Sequence, residues 1–277
     1  MKEILIKRLA TISSPGKKYN VLRESLQHLI LKILDDRGYF QHIVFIGGTA
    51  LRILYDLRRF SEDMDFSLQQ PQNPRFDFEK MLRDLLNDLE SYEIPVETST
   101  KKTVGAIKGL FLKFPDILQE TKASQRKGEK LHIKLEVDTN PPQHAGFETQ
   151  LLQKEFLFSV VHHDLSTLCA GKLAAFLFRQ YTKGRDVYDL LWYGTRKATV
   201  NRRFFESGLF QATGRMISWS EQELVKKLEE KIQALKMSDV TRDAAPFLDD
   251  PQEERFFTKA FLIQAVRGLR YAQSMQS

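Results

Sequence analysis

Between residues 21 and 35 the apolar side chains Leu22, Leu26, Leu29, Ile30, Ile33 and Leu34 recur at intervals of three and four, the spacing of one buried helical face. The pattern predicts an amphipathic helix. A short apolar run, residues 42–46, stops at Gly47-Gly48, and residues 49–57 return to helical spacing with Thr49 placed as the cap. The expected unit is strand, glycine turn, helix. Residues 63–68 alternate polar and apolar, as a half-buried strand does, and residues 76–90 read as another helix. Further strands are expected at residues 94–100, 104–114, 131–137 and 156–161, with Pro141-Pro142 ending the third.

Beyond residue 163 the pattern changes. Residues 165–181, 185–193, 221–235 and 254–272 all read as helices, and no convincing strand remains. The expectation is an α+β chain: a mixed sheet with flanking helices over residues 1–163, then an all-helical C-terminal domain over residues 164–277. No flexible Gly/Ser linker separates them, so the two are expected to pack together. The chain shows no internal repeat and no low-complexity tract.

Composition narrows the class. With 277 residues, 42% hydrophobic and 28% charged, the chain is an ordinary globular protein and is neither disordered nor collagen-like. No apolar run approaches the roughly 20 residues needed to span a bilayer, and charge interrupts Met1-Lys-Glu-Ile-Leu-Ile-Lys-Arg too early for a signal peptide. The single cysteine, Cys169, cannot form an internal disulfide, which fits a reducing, cytoplasmic setting and excludes a cysteine-rich zinc module. Net charge is +6, and residues 101–134 hold nine bases against three acids, so the rest of the chain is neutral. Such a segment is either a solvated hairpin or a track for a phosphate backbone.

Candidate chemistry centres on Gly47-Gly48-Thr49 and Ser61-Glu62-Asp63-Met64-Asp65. Residues two apart on a strand point to one side, so Asp63 and Asp65 are expected to present their carboxylates together. Adjacent anions repel unless a cation joins them. Mg²⁺ suits the pair, because it takes one or two carboxylates and completes its octahedron with water and phosphate oxygens. The glycines let the backbone approach a triphosphate, and the N–H groups of the helix start at Thr49 supply anion-binding donors. Alone, a Gly-Gly is commonly a tight turn and an Asp-x-Asp a solvated strand edge. Their ordered combination within nineteen residues, Gly47 to Asp65, is the informative feature.

Phe45-Ile-Gly-Gly-Thr-Ala-Leu-Arg52 followed by Arg59-Phe-Ser-Glu-Asp-Met-Asp-Phe66 resembles the core of the DNA polymerase β-type nucleotidyltransferase superfamily, and more narrowly its AbiEii/AbiGii toxin branch, which includes the MenT toxins. The resemblance continues in Lys172-Leu-Ala-Ala with Arg179 and in Arg185-Asp-Val-Tyr-Asp-Leu190, and so covers about residues 42–192. It implies a nucleotidyltransferase-type mixed sheet bearing the active site, a helical C-terminal domain, Mg²⁺, and a nucleoside triphosphate donor. By position, Gly47, Gly48 and Ser61 would hold phosphates and Asp63 and Asp65 the metal. Lys172, by spacing alone a snorkelling surface residue, becomes by resemblance a triphosphate contact. Asp186 and Asp189 share a helical face; Asp186 is favoured as the partner of Lys172, with Arg185 and Arg179 as phosphate ligands or partners. Many superfamily members carry a third carboxylate on a later strand, and Glu136 and Asp138 both lie on one face with Lys134, Asp138 being preferred for its place at the strand's C-terminal end.

The implied reaction is attack by an acceptor hydroxyl on the α-phosphorus, with pyrophosphate leaving. The branch resemblance implies a tRNA 3′ end as acceptor and a toxin role beside a cognate antitoxin. Transfer to a protein or small molecule, a kinase-type phosphotransfer, and a non-catalytic nucleotide- or RNA-binding regulator stay open. His162-His163 lacks further ligands at metal spacing and reads as a strand end, while Cys169, Trp192, Tyr193 and Trp219 read as core.

Overall fold

Short apolar runs pair into a seven-stranded sheet in a computed structural model that describes residues 2–100, 105–124 and 126–271. Lys101 and Lys102 of the basic segment lie outside the described residues. The chain divides into two units, the first comprising Met1–Thr49, Ser61–Pro141 and Thr149–His162. In chain order the elements up to the end of the sheet are α1 (Lys2–Ala10), α2 (Pro15–Asp36), β1 (Ile43–Ile46), α3 (Gly47–Tyr55), β2 (Asp63–Leu68), α4 (Phe78–Ser91), β3 (Glu97–Thr100), β4 (Ile107–Phe114), α5 (Ile117–Glu120), β5 (Leu131–Asp138), β6 (Phe147–Gln153) and β7 (Leu157–His163).

Strands follow the order β3-β4-β5-β2-β1-β7-β6. β2 runs antiparallel to β1 and parallel to β5, so the sheet is mixed and β2 is hydrogen-bonded along both edges. Along β5 the residues Leu131, Ile133, Leu135 and Val137 are buried, while His132, Lys134, Glu136 and Asp138 take the other face. β2 repeats this with Met64 and Phe66 turned inward, the Phe66 ring lying 5.3 Å from that of Phe45. The consequence is a polar row along one face of neighbouring strands.

Helices cover the apolar side for reasons visible in their sequences. Pro15 opens α2 at a position whose N–H is not needed, and Leu22, Leu26, Leu29, Ile30 and Ile33 are buried at helical spacing. Asp77 caps α4 by accepting from the Lys80 N–H at 3.0 Å, with Phe78, Met81, Leu85 and Leu89 on its buried side.

The second unit comprises Ala50–Phe60, Pro142–Glu148 and His163–Ser277. Its later elements are α6 (Leu165–Phe178), α7 (Gly184–Thr195), β8 (Thr199–Val200), α8 (Arg202–Thr213), α9 (Glu221–Ala234), α10 (Met237–Ala244), α11 (Lys259–Gly268) and β9 (Arg270–Tyr271). Asp164, Asn201 and Thr258 cap α6, α8 and α11, and Ser220 with Glu223 forms a capping box on α9.

The fold class is α+β, as the pattern predicts, with differences of detail. β8 and β9 form a two-residue parallel pair, so the C-terminal region is not wholly helical. The helix expected at residues 254–272 is only ten residues long, because a 3₁₀ turn at Pro251–Phe256 precedes it and Thr258 caps its start. α1, α8 and α10 were not announced by periodicity, nor was β6, whose side chains are mostly exposed and so carry no alternation. Among the described residues no helix is long and apolar enough to cross a membrane.

Leu135 is fully buried on the inner face of β5, whereas Leu151 on β6 is 68% exposed. Leu135→Ala should cost about 2–5 kcal/mol and Leu151→Ala less than about 0.5 kcal/mol, measured by urea denaturation.

Candidate active site

The bend after β1 is built on a conformation that few residues besides glycine adopt. Gly47 has φ +82°, and a Cβ there would collide with the Asp65 carboxylate and lie 3.0 Å from the Asp65 Cβ. Both the torsion and the close approach require glycine. Because Gly47 turns the chain so sharply, α3 begins at Gly47 itself, two residues earlier than the spacing predicts. Thr49 is therefore in the first turn and is not the cap; its hydroxyl donates to the Asp63 carbonyl and ties the helix start to β2. Ile46 pairs with Asp65 in the sheet, so the N-terminal amides of α3, which lack partners within the helix, begin beside that carboxylate.

Asp63 and Asp65 are half-buried and alternate with the buried Met64 and Phe66, which places both carboxylates on one face. On the neighbouring strand Lys134 is in register with Asp63, and Glu136 with Asp65. Lys134 and Glu136 form an ion pair. Burial works to lower the Lys134 pKa, but the hydrogen bond it donates to Glu136 and the charges of Asp63, Glu136 and Asp65 outweigh it and raise the value above normal. Room for Glu136 comes from Gly109 on β4, where a Cβ would sit 2.9 Å from the Glu136 Cγ.

Asp138 lies one pleat further, in register with Ser67. Burial raises its carboxyl pKa, partly offset by the Asn140 N–H, which donates to it at 2.9 Å. Ser61 is half-buried and its carbonyl accepts from the Gln27 side chain at 3.0 Å. No group of three or more His, Cys, Asp or Glu side chains arranged to hold a metal occurs among the described residues. The two adjacent Asp carboxylates nonetheless supply the all-oxygen donors that Mg²⁺ takes from a protein when water and phosphate complete its shell.

A second charged cluster stands in the helical unit. Arg59 is 1% exposed and donates twice, at 2.7 Å each, to the fully buried Asp189. Lys172 lies 2.8 Å from Asp189 and 3.3 Å from Asp186, and Arg179 pairs with Asp186. Three cations thus surround two acids. Burial would raise the Asp189 pKa, yet the Arg59 and Lys172 charges overcome it and hold the carboxyl below its ordinary value. The same attractions outweigh burial at Arg59 and Lys172 and raise both. The resemblance pairs Lys172 with Asp186, and the structure adds Asp189 and Arg59, whose link crosses 130 residues of sequence and has no local signal. Arg185 lies with its guanidinium 4.2 Å from the Phe247 ring centre.

The remaining singled-out residues are packing. His163 sits 5.7 Å from the Phe147 ring and 5.5 Å from that of Phe204, and Cys169, Trp192 and Tyr193 are buried.

A family profile described as nucleotidyl transferase AbiEii toxin, type IV TA system, matches residues 29–261. No curated protein matches the sequence. Among solved structures, a Helicobacter pylori protein described as a nucleotidyltransferase is 18% identical, with 93% of this chain and 97% of that one covered at a TM-score of 0.53. JHP933 from the same organism is also 18% identical, over 90% of this chain and 93% of its own, with a TM-score of 0.52. At this identity the likeness concerns the fold.

Removing Asp189 would leave the buried Arg59 guanidinium without its anion and Lys172 with Asp186 alone. Asp189→Ala should therefore cost about 3–5 kcal/mol, more than the paired change Arg59→Met with Asp189→Leu. Because the folded pKa of Asp189 lies below the unfolded value of about 3.9, its stabilisation is complete above that pH and is lost as pH falls through the folded value. Thermal unfolding between about pH 2 and 7 should show a steeper acid loss in the wild type than in Asp189→Asn.

Proposed function

We propose, for a chain that belongs to the AbiEii nucleotidyltransferase toxin family of type IV toxin–antitoxin systems, that it transfers a nucleoside monophosphate from a triphosphate to an acceptor hydroxyl at a site built on Asp63 and Asp65. The observation that carries this reading is the contact between the Gly47 bend and Asp65, which joins a helix start to a pair of co-facial carboxylates. Gly47, Gly48 and Thr49 cradle the phosphates with their backbone amides, and the Ser61 hydroxyl supplies a further donor. Asp63 and Asp65 hold Mg²⁺, which when bound neutralises the triphosphate and polarises its α-phosphorus.

Lys134 pairs with Glu136 beside Asp65, and Glu136 takes the proton from the acceptor hydroxyl. The acceptor oxygen bonds to the α-phosphorus as the bond to the bridging oxygen breaks, and pyrophosphate departs with that electron pair. Glu136 is assigned this role ahead of Asp138 because its register position faces Asp65. Within the helical unit, the family resemblance assigns phosphate binding to Lys172, held in place by Asp186 and Asp189, and to Arg185. A tRNA 3′ end is the proposed acceptor, in keeping with the basic residues 101–134, and a cognate antitoxin the proposed partner.

Incubation with labelled triphosphates and separate RNA, protein and small-molecule pools tests the assignment: label in RNA with pyrophosphate release is expected, and nucleoside diphosphate release would show a kinase instead. Activity should vanish with EDTA and return with Mg²⁺. Asp63→Asn and Asp65→Asn should each lower turnover by more than about a hundredfold, without lowering the melting temperature, since each removes one of two repelling charges. Glu136→Gln should lower turnover about 10²–10⁴-fold, and Asp138→Asn much less.

A further inference from the structure

An open cavity of about 510 Å³ lies next to Asp63 in the sheet-bearing unit, with Tyr19 and Arg23 of α2, Glu62, Phe111 of β4 and Lys134 of β5 in its wall. That volume is within the roughly 300–1,000 Å³ of small-molecule sites. Its position relative to the carboxylate pair follows from the sheet. β2 is flanked by β1 on one edge and β5 on the other. The Gly47 bend is on the β1 side of Asp65, whereas the cavity opens over β5 and β4, on the far side of Asp63. In-line displacement at phosphorus brings the attacking oxygen from the side opposite the leaving group.

The wall has an unusual composition for an anion site. Glu62, Asp63 and Glu129 balance Arg23, Lys130 and Lys134, so a bare phosphate meets no net attraction there. Instead the wall offers flat faces and hydrogen bonds. Tyr19 and Phe111 are half-buried aromatics, and the Arg23 guanidinium lies 4.9 Å from the Tyr19 ring centre. His132, in register with Lys113, adds a ring whose pKa is lowered by burial and by the Lys113, Arg23 and Lys130 charges, favouring its neutral form.

Arg23 is 6% exposed and pairs with Glu62 at 3.3 Å, while its buried Nε has no acceptor among the described residues. A buried guanidinium with an unmet donor is costly, and a ligand acceptor in the cavity would relieve it. Outside the wall the charge changes. Lys122, Arg126 and Lys127, all exposed, belong to the connection between β4 and β5 that leads into Lys130 on the cavity rim.

We propose that this cavity is the acceptor pocket: it takes the unpaired terminal nucleoside of a single-stranded polyribonucleotide, with its base against Phe111 and Tyr19, its polar edge toward Arg23 and Glu62, and its ribose hydroxyl toward Asp63. The basic β4–β5 connection receives the preceding phosphates. Aromatic faces with an arginine bind bases by stacking, and a lysine-rich rim binds backbone. The assignment rests on reading Asp63 and Asp65 as the site of nucleotidyl transfer.

The test uses the full-length protein and a fluorescein-labelled 12-nucleotide single-stranded RNA with a free 3′ end, followed by anisotropy, together with equilibrium dialysis of each labelled triphosphate in Mg²⁺. Phe111→Ala and Tyr19→Ala should each weaken RNA binding by about five- to a hundredfold, with triphosphate affinity changed less than about twofold. Phe111→Trp should restore RNA binding, which separates stacking from misfolding. Unchanged RNA affinity in both alanine variants would overturn the proposal, and so would a parallel loss of triphosphate affinity, which would make the cavity a donor-base site. RNA binding that survives in an Asp63→Asn variant still able to transfer label would sink the transfer-site reading while leaving the pocket standing.

Discussion

Negative charge gathered on one stretch of sheet is the constraint around which the candidate site is organised. Asp63 and Asp65 share a face of β2, Glu136 faces Asp65 from β5, and Lys134 alone among the residues of that face in register with them is cationic. Two unit charges about 4 Å apart interact by roughly 4 kcal/mol at the effective dielectric of a protein surface. The raised pKa of Lys134 records the attraction from all three acids, yet one ammonium cannot balance them. Partial exposure and the positive end of α3 make the arrangement tolerable in the free protein. A divalent cation bringing phosphates is the natural counterpart to what remains.

Sheet topology turns that charge into a place for two substrates. A central strand has two flanks, and β2 uses both: α3 begins on the β1 flank, and the cavity opens on the β5 flank. Neither flank would suffice with ordinary residues. Gly47 keeps the first open against Asp65, and Gly109 keeps the second open for Glu136. In the proposed reading, donor and acceptor meet the carboxylate pair from opposite sides, and the backbone pairing fixes that geometry more rigidly than loops could.

What the sequence reveals is what short-range periodicity encodes. The face shared by Asp63 and Asp65 was legible because Met64 and Phe66 alternate with them, and the bend was legible because paired glycines after an apolar run end a strand. The exact start of α3 was not, since it depends on a left-handed torsion at Gly47 that the letters permit but do not require. Arg59 lies inside the recognisable motif, yet its burial against Asp189 is a tertiary fact. Tyr19 and Arg23 precede every motif and reach the site only through the packing of α2, and β6 is too exposed to leave an alternating trace.

The two acid clusters solve the same electrostatic problem in opposite ways, and the difference bears on what each can do. Asp189 is fully buried and already neutralised by a bidentate guanidinium, so it has no capacity left for an incoming cation. Its use is to fix Lys172, whose side chain stays 17% exposed and keeps its charge firmly. Asp63 and Asp65 are half-buried on one face of β2, which leaves them within reach of water and of a hydrated metal. Filling the first arrangement with metal would require breaking the Arg59 pair, whereas filling the second relieves repulsion. Burial and pairing therefore separate an anchor from a receptor for charge, although both are built from two aspartates within four residues of each other.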